Sequence, residues 1–284
     1  MVSVRRFVQD EPALYKASQE FVALLADVPD PVLSVARRAN GLNAQIAWTL
    51  LGTVLFQDRS YTEIERLLEA LYAKFPDELL WTLPVPAAPQ INAVVVDTFG
   101  SRNWSLFEHV AGIFWSVGLF ARRHPDLAAW ARERTPEEMW RDLGEIYFMG
   151  KKSVRPKACA AIYRLLAAAP LGLGIEFRRD VRPAGTRKAR MVMPPLPLTM
   201  GARRFLAILG PARDEGFADL EPEKKQALAN TYFSALCKED PYRSAHALQF
   251  FLEIGNEDFV CREKTEGCSK CPLYEFCDYA LCRE

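Results

Sequence analysis

The chain has no net charge, because 36 Lys and Arg residues balance 36 Asp and Glu residues over its 284 residues. General electrostatic attraction to nucleic acid is therefore not expected, and any DNA-binding surface must come from local clusters of basic residues. A long apolar run is also absent. The longest nearly uncharged run, VAGIFWSVGLFA, is shorter than the roughly 20 residues of a membrane span. We expect a protein without membrane contact.

A secretory signal is missing as well, since MVSVRRFVQDEP lacks the pattern of a charged and then an apolar region. This predicts a cytoplasmic protein and disfavours a disulfide framework for its cysteines. Half of the residues are hydrophobic, enough for one large core or two smaller lobes. Long stretches rich in Ala, Leu, Glu and Arg predict an all-α fold.

Four cysteines lie close together near the end of the chain, with the spacing C-x6-C-x2-C-x5-C. They are Cys261, Cys268, Cys271 and Cys277. Four thiolates in so short a segment can converge on one iron or zinc centre. Zinc sites usually pair their ligands in two short knuckles, and only the central pair forms one here. Cys282 is a spare thiol, whereas Cys159 and Cys237 are predicted to be small buried hydrophobic residues.

This spacing, after the helix-like stretch SAHALQFFLEIGNEDFVC, resembles the [4Fe-4S] loop of one branch of the helix-hairpin-helix DNA glycosylase superfamily, that of endonuclease III and adenine glycosylase. The resemblance implies a [4Fe-4S] cluster on the four cysteines and a two-lobed, all-α glycosylase-like fold. It also implies double-stranded DNA as the partner of a monomer. The expected organisation is a helical domain over residues 1–260, with an insertion at about 84–134, and a cluster loop over 261–284.

A second part of the resemblance is a corner between two helices. NAQIAWTLLGTVLFQDRS predicts an apolar helix with a polar end, and Ser60 with Glu63 forms a capping-box pattern for TEIERLLEALYAKF. In the family, a glutamine at such a corner enters the DNA beside the extruded nucleotide. The resemblance places Gln57 at this wedge position, with Asp58 and Arg59 beside it. The alternative is a solvated turn.

Residues 84–134 depart from the family. PVPAAPQINAVVVDTFGSRNW predicts a proline-punctuated loop, with Asp97 in a loop or short strand. SLFEHVAGIFWSVGLFARRH predicts a helix with Ser105 and Glu108 in capping-box positions. The aromatic residues of this segment are predicted to pack in the core of an added helix: Phe107, Phe114, Trp115 and Phe120.

The next segment predicts two helices joined by a glycine turn. Thr135 with Glu138 opens the first helix, and MWRDLGEIYFMGKKSVRPKACAAIYRLL continues it. Backbone amides at such a turn can bind a phosphate, and Lys151, Lys152 and Arg155 would add positive charge. We expect this element to contact the DNA backbone; a merely solvated basic turn is the alternative.

The family's hairpin, LPGVGxKTA, and the Val-Asp segment after it are both missing. In the family, the hairpin glycines approach a DNA phosphate, the lysine attacks the sugar in bifunctional members, and the aspartate stabilises the developing charge or activates the nucleophile. This chain instead has a strongly basic, Gly- and Pro-punctuated segment. Its basic residues are Arg178, Arg179, Arg182, Arg187, Lys188 and Arg190.

LPLTMGARRF aligns with the missing motifs in two ways. If it replaces the hairpin, Gly201 holds the last hairpin glycine and Arg203 takes the place of the lysine. An arginine stays protonated and cannot form a Schiff base. If it replaces the aspartate segment, Gly201 takes the place of the aspartate. Under the first alignment, Asp214 is the carboxylate near the altered hairpin and is a candidate catalytic residue. The alternative is that Asp214 is a surface turn residue.

A glycosylase scaffold without this lysine and aspartate resembles the amino-acid:DNA transferases of bacteriophage thymine hypermodification, the alpha-glutamyl/putrinyl thymine pyrophosphorylases. The resemblance implies that an amino acid or polyamine displaces pyrophosphate from a 5-pyrophosphomethyluracil base, in a bacterial or phage-infected cell. Arg203, Arg204 and part of the basic run from Arg178 to Arg190 would bind the pyrophosphate, and Asp58, Asp97 or Asp214 would bind or deprotonate the amine. The alternatives are a divergent [4Fe-4S] DNA glycosylase of base excision repair and a non-catalytic DNA-structure-binding protein.

Overall fold

A computed structural model describes residues 4–57, 59–76, 88–150, 154–166, 196–213, 216–252, 261 and 265–278. Helices dominate these ranges and no strand occurs in them, which confirms the all-α prediction. None of the helices in these ranges is long and apolar enough to cross a membrane. The chain divides into two compact units: unit 1 is Met1–Val28 with Pro195–Glu284, and unit 2 is Pro29–Pro194. The predicted division at residue 260 stays a prediction.

Unit 1 begins and ends the chain, so its helices come from both termini. They are α1 (Val4–Asp10), α2 (Pro12–Leu25), α11 (Met200–Ile208), α12 (Pro222–Leu236) and α13 (Pro241–Leu248). The helices between them belong to unit 2: α3 (Pro31–Ala36), α4 (Leu42–Leu55), α5 (Tyr61–Lys74), α6 (Ala88–Phe99), α7 (Val110–Arg123), α8 (Leu127–Glu133), α9 (Pro136–Asp142) and α10 (Val154–Leu166).

The core of unit 2 surrounds α4. This helix packs against α3, α7, α8 and α10, and its residues from Ile46 to Leu55 are all buried. A helix that is apolar on all sides needs partners on all sides, because each exposed face would leave apolar surface in water. The surrounding helices thereby fix the end of α4, where the predicted wedge corner lies.

The described part of the predicted insertion, residues 88–134, packs into this same core. Its first stretch was predicted to be a loop, but it forms α6, which packs on α5. The loop prediction was wrong because Ile91, Val94 and Val95 follow helical spacing and bury one face. Pro84 and Pro86 precede the helix, and Pro89 is its second residue, where the first turn tolerates proline. Asp97 is therefore an exposed helix residue.

Two predictions for α7 were also wrong. Ser105 and Glu108 form no capping box: α7 begins at Val110, and a 3-10 turn over Phe107–His109 precedes it. Trp115 is 53% exposed rather than buried, because it lies about 100° around the helix from the buried Phe114. The other predicted core aromatics, Phe107 and Phe120, are buried.

Unit 1 has an aromatic core. Phe205 of α11 lies 5.2 Å from Phe251 and 6.2 Å from Tyr232 of α12, measured between ring centroids, and Phe21 of α2 packs beside Phe205. The segment before α11 is fixed to α12, since Asn230 accepts a hydrogen bond from the Leu196 backbone N–H at 3.1 Å. These contacts fix the start of α11, the helix with the predicted pyrophosphate-binding arginines.

Candidate functional site

The cysteine segment consists of short turns in the part that the structure describes. Two 3-10 turns, Thr265–Lys270 and Tyr274–Phe276, lie between Cys261 and Cys277. The backbone N–H of Cys271 donates to the carbonyl of Cys268 at 2.9 Å, which closes the central knuckle. Cys261, Cys268 and Cys271 are half-buried and Cys277 is buried. Such turns let four side chains of a short segment point to one region.

The four thiols influence one another electrostatically. The pKa of the Cys261 thiol is raised to about 12, mainly by burial; a hydrogen bond from the Leu252 backbone opposes this shift, and the Cys271, Cys277 and Cys268 thiols add to it. Burial likewise raises the pKa of Cys271 to about 11, and the Leu273 backbone N–H opposes this shift. The four thiols therefore lie close enough to influence one another's pKa.

The chemistry of this donor set fits iron or zinc. Four thiolates are soft ligands, and backbone N–H groups that point at sulfur stabilise the thiolate form that binds metal. In the described ranges, however, no group of three or more His, Cys, Asp or Glu side chains has the spacing of a metal site. The [4Fe-4S] centre therefore stays a prediction.

Gln57 lies at the corner after α4, as its place in the sequence predicts, but its side chain turns back on the helix. Its amide nitrogen donates to the Val54 carbonyl at 2.5 Å, and its backbone carbonyl accepts a hydrogen bond from the Trp104 indole at 3.0 Å. A wedge role would require the amide to give up its bond to Val54. The neighbouring Asp58 lies outside the described residues.

Arg59 stabilises this corner. Its guanidinium pairs with Glu63 at 3.0 Å, donates to the Asn103 carbonyl at 2.6 Å and lies 4.6 Å from the centroid of the Phe99 ring. The Arg59 guanidinium is therefore already paired within unit 2, and Arg59 could contact DNA only by giving up some of these contacts.

Arg155 is buried, with 8% of its surface exposed, so it does not form the predicted basic surface in this structure. Its guanidinium donates to the Trp140 carbonyl at 3.1 Å and lies 5.3 Å from the centroid of the Trp140 ring. The side chain folds inward because the aromatic ring and Gly144 leave it space beside α9. Lys151 and Lys152, the other predicted contacts, lie outside the described residues.

The two arginines of α11 differ in their surroundings. Arg203 is exposed, whereas Arg204 is half-buried and donates to the Leu252 carbonyl at 2.7 Å. The helix carries no acidic residue, and Thr199 caps its start by accepting from the Ala202 N–H at 3.2 Å. Arg203 therefore stays available to an anion, and Arg204 is engaged inside unit 1. The predicted catalytic residue Asp214 and the basic residues between 178 and 190 lie outside the described residues.

No family model, curated protein or solved structure matches this chain. Its function must therefore be inferred from its own residues. The sequence did not single out Leu252, whose backbone carbonyl accepts a hydrogen bond from Arg204. No sequence pattern points to such a residue, since its role depends on backbone groups rather than on its side chain.

Proposed function

We propose that the chain is a DNA-base-modifying transferase with a [4Fe-4S] centre, which attaches an amine or amino acid to a pyrophosphorylated 5-hydroxymethyluracil base. The observation that carries this proposal is Arg203, an exposed cation on a helix without acidic residues, at the position where one alignment expects the catalytic lysine. Further support comes from the neighbouring thiols of the C-terminal segment and from the all-helical fold.

Arg203 would bind the leaving pyrophosphate. In the proposed reaction the amine nitrogen forms a bond to the methylene carbon of the base, and the bond from that carbon to the pyrophosphate oxygen breaks. The electron pair of the broken bond leaves with pyrophosphate, and the amine loses a proton to a base. A guanidinium can hold two phosphate oxygens at once and remains charged throughout, which favours departure of the anion.

The proton acceptor in this scheme is a carboxylate. Asp58 and Asp214 are the proposed residues, and both lie outside the described ranges, while Asp97 is exposed on α6. Each of them would accept the proton of the incoming amine through a hydrogen bond to it.

The four cysteines would hold the metal centre of the C-terminal segment. A [4Fe-4S] cluster, when bound, would link the turns of this segment covalently, and metal binding would contribute to folding. We assign these cysteines a structural role, since the described residues place no other group of the proposed reaction beside them.

Nucleoside mass analysis tests the proposed reaction. Anaerobically purified protein is incubated with a pool of amino acids and polyamines and with duplex DNA containing thymine, 5-hydroxymethyluracil or its pyrophosphorylated form. We expect a new nucleoside only on the pyrophosphorylated DNA, with the mass of the amine adduct. Arg203→Met should abolish most of this product, whereas Lys224→Met removes an exposed charge elsewhere in unit 1 and should not.

Other products would overturn the transferase assignment. Release of free base, or accumulation of abasic sites, would show a glycosylase instead. DNA binding without any product on the pyrophosphorylated substrate would favour a non-catalytic DNA-binding protein. An equal loss of product in Arg203→Met and Lys224→Met would remove Arg203 from the site.

A further inference from the structure

Met200, the first residue of α11, presents an apolar side chain to solvent. It is 66% exposed, the largest exposed fraction among the large apolar side chains of the described ranges. A single exposed apolar residue is common on protein surfaces and needs no explanation by itself. Met200 differs from such residues because both its side chain and its helix are held in place.

Arg204 holds the side chain of Met200. One of its guanidinium nitrogens donates to the Met200 sulfur at 3.1 Å, and another donates to the Leu252 carbonyl at 2.7 Å. A methionine side chain has three rotatable bonds and normally adapts its shape to its surroundings. The contact with Arg204 restricts this freedom, although most of the side-chain surface still faces water.

The backbone that carries Met200 is fixed as well. Thr199 caps the start of α11 by accepting from the Ala202 N–H at 3.2 Å. The residue after Met200 is Gly201, which packs directly on the end of α13, where a Cβ atom would lie 2.1 Å from the Gln249 carbonyl oxygen. The start of α11 therefore cannot move toward α13 when a partner presses on Met200.

The charge next to Met200 is positive. Arg203 lies three residues further on, about 4.5 Å along the helix axis and on the same face, and it is exposed. The sequence of α11, MGARRFLAI, contains no acidic residue. An apolar tip beside a cation matches a partner whose apolar interior lies behind an anionic surface. Duplex DNA is such a partner, because its stacked bases lie behind two rows of phosphates.

We propose that Met200 enters the base stack of duplex DNA, while Arg203 binds phosphate oxygens beside it. An apolar residue inserted between base pairs partially unstacks them, and a base that has lost stacking contacts is extruded at a lower cost. Gln57, which the sequence predicted for this role, is bonded to the Val54 carbonyl instead. The inference rests on the proposed function only in taking duplex DNA as the partner, and it is independent of the transfer chemistry.

Two fluorescence signals test this role in the full-length protein. The probe is a duplex in which 2-aminopurine pairs with the pyrophosphorylated 5-hydroxymethyluracil base, and no amine is added, so that no transfer occurs. The anisotropy of a dye-labelled copy of this duplex reports binding, and the emission of 2-aminopurine rises when its stacking is lost. We expect the wild type to raise both signals. Met200→Ala should still bind, because phosphate contacts supply much of the affinity, but it should lose most of the rise in 2-aminopurine emission.

Two further variants separate insertion from a general loss of apolar surface. Met200→Leu keeps an apolar side chain of similar size and should retain the rise in emission. Leu24→Ala is the matched control, because Leu24 is a 50% exposed apolar residue on α2 of the same unit. This control should behave as the wild type in both signals.

The insertion role is overturned if the wild type binds the duplex without raising 2-aminopurine emission, if Met200→Ala keeps the full rise, or if Leu24→Ala loses it to the same extent. If Met200→Ala does not bind at all, Met200→Leu decides: the inference stands if this variant restores both signals and fails otherwise. A wild-type protein that does not bind the duplex would overturn both this inference and the proposed action on DNA. A rise that depends on Met200, without any adduct once amines are added, would overturn the proposed reaction alone.

Discussion

Gly201 and Gln249 approach each other so closely that their contact excludes any side chain at position 201. A Cβ there would lie 2.1 Å from the Gln249 carbonyl oxygen and 2.6 Å from its carbonyl carbon. Gly201 was predicted to occupy either a hairpin glycine position or the place of a lost catalytic aspartate. Its contact with Gln249 gives it a third role, the packing of α11 against the end of α13.

Gly201→Ala should therefore destabilise the protein by about 1–3 kcal/mol, because the added methyl group forces two backbone segments apart. The free energy of unfolding from urea denaturation measures this effect. Gly112→Ala is the matched control: its new methyl group would meet the Tyr147 ring at an ordinary 3.4 Å, and alanine is favoured within a helix. If Gly201→Ala unfolds at the same urea concentration as the wild type, the close approach of Gly201 to the Gln249 backbone is contradicted.

The free energy of unfolding of unit 2 should depend on pH through Asp142. Burial raises the pKa of this carboxyl, but hydrogen bonds from the Trp130 indole at 3.1 Å and from Arg134 at 2.8 Å outweigh it, so that the pKa lies below its ordinary value. A depressed folded-state pKa contributes stability that is present above the unfolded-state pKa and is lost as pH falls through the folded-state value.

We expect the wild type to lose this contribution below about pH 4, near the ordinary aspartate pKa. Asp142→Asn should be less stable than the wild type at neutral pH, by about 1–3 kcal/mol for the lost charged hydrogen bonds. The gap between the two should narrow in acid. Urea denaturation at a series of pH values measures both curves, and a gap that stays constant from neutral pH into acid would show that Asp142 is not ionised in the folded protein.

The capping box at Ser60 offers a test of the corner that carries Gln57. Ser60 accepts from the Glu63 N–H at 3.3 Å, and Glu63 accepts in return from the Ser60 N–H at 3.0 Å. Ser60→Ala should lower the free energy of unfolding by about 1 kcal/mol, while Ser60→Thr keeps the cap and should cost less. Thermal unfolding of the three proteins measures the order, and equal loss in both variants would rule out capping as the cause.

The cysteine set predicts a pattern of metal content. Replacing Cys261, Cys268, Cys271 or Cys277 by serine should each reduce bound iron and lower the thermal midpoint, because a hard hydroxyl is a poor ligand for iron in such a centre. Cys237→Ser is the control and should retain the metal, since Cys237 ends α12 outside the cysteine segment. The iron content of each purified variant is measured. Equal iron in all five variants would exclude a metal centre on these four cysteines.

Local signals in the sequence predicted local structure well. The boxes at Ser60 and Thr135 are both formed, because each needs only a hydroxyl and a carboxylate three residues apart at a helix start. The same spacing at Ser105 failed, since the 3-10 turn before α7 moved the start of that helix to Val110. Cys159 is buried, as its apolar helical surroundings predict, whereas Cys237, for which burial was also predicted, is only half-buried because it follows the last residue of α12.

By itself, the sequence determined the helical class, most helix positions and the grouping of four cysteines, since these depend on periodicity and on short spacing. Only the tertiary structure decided what the arginines do. Arg155 is buried beside Trp140, Arg59 is held by Asn103, and Arg204 is bound to Leu252. Each of these partners is a backbone carbonyl distant along the chain. Every residue carries such an acceptor, so the sequence does not indicate which carbonyl a guanidinium will meet. Only the folded structure decides this.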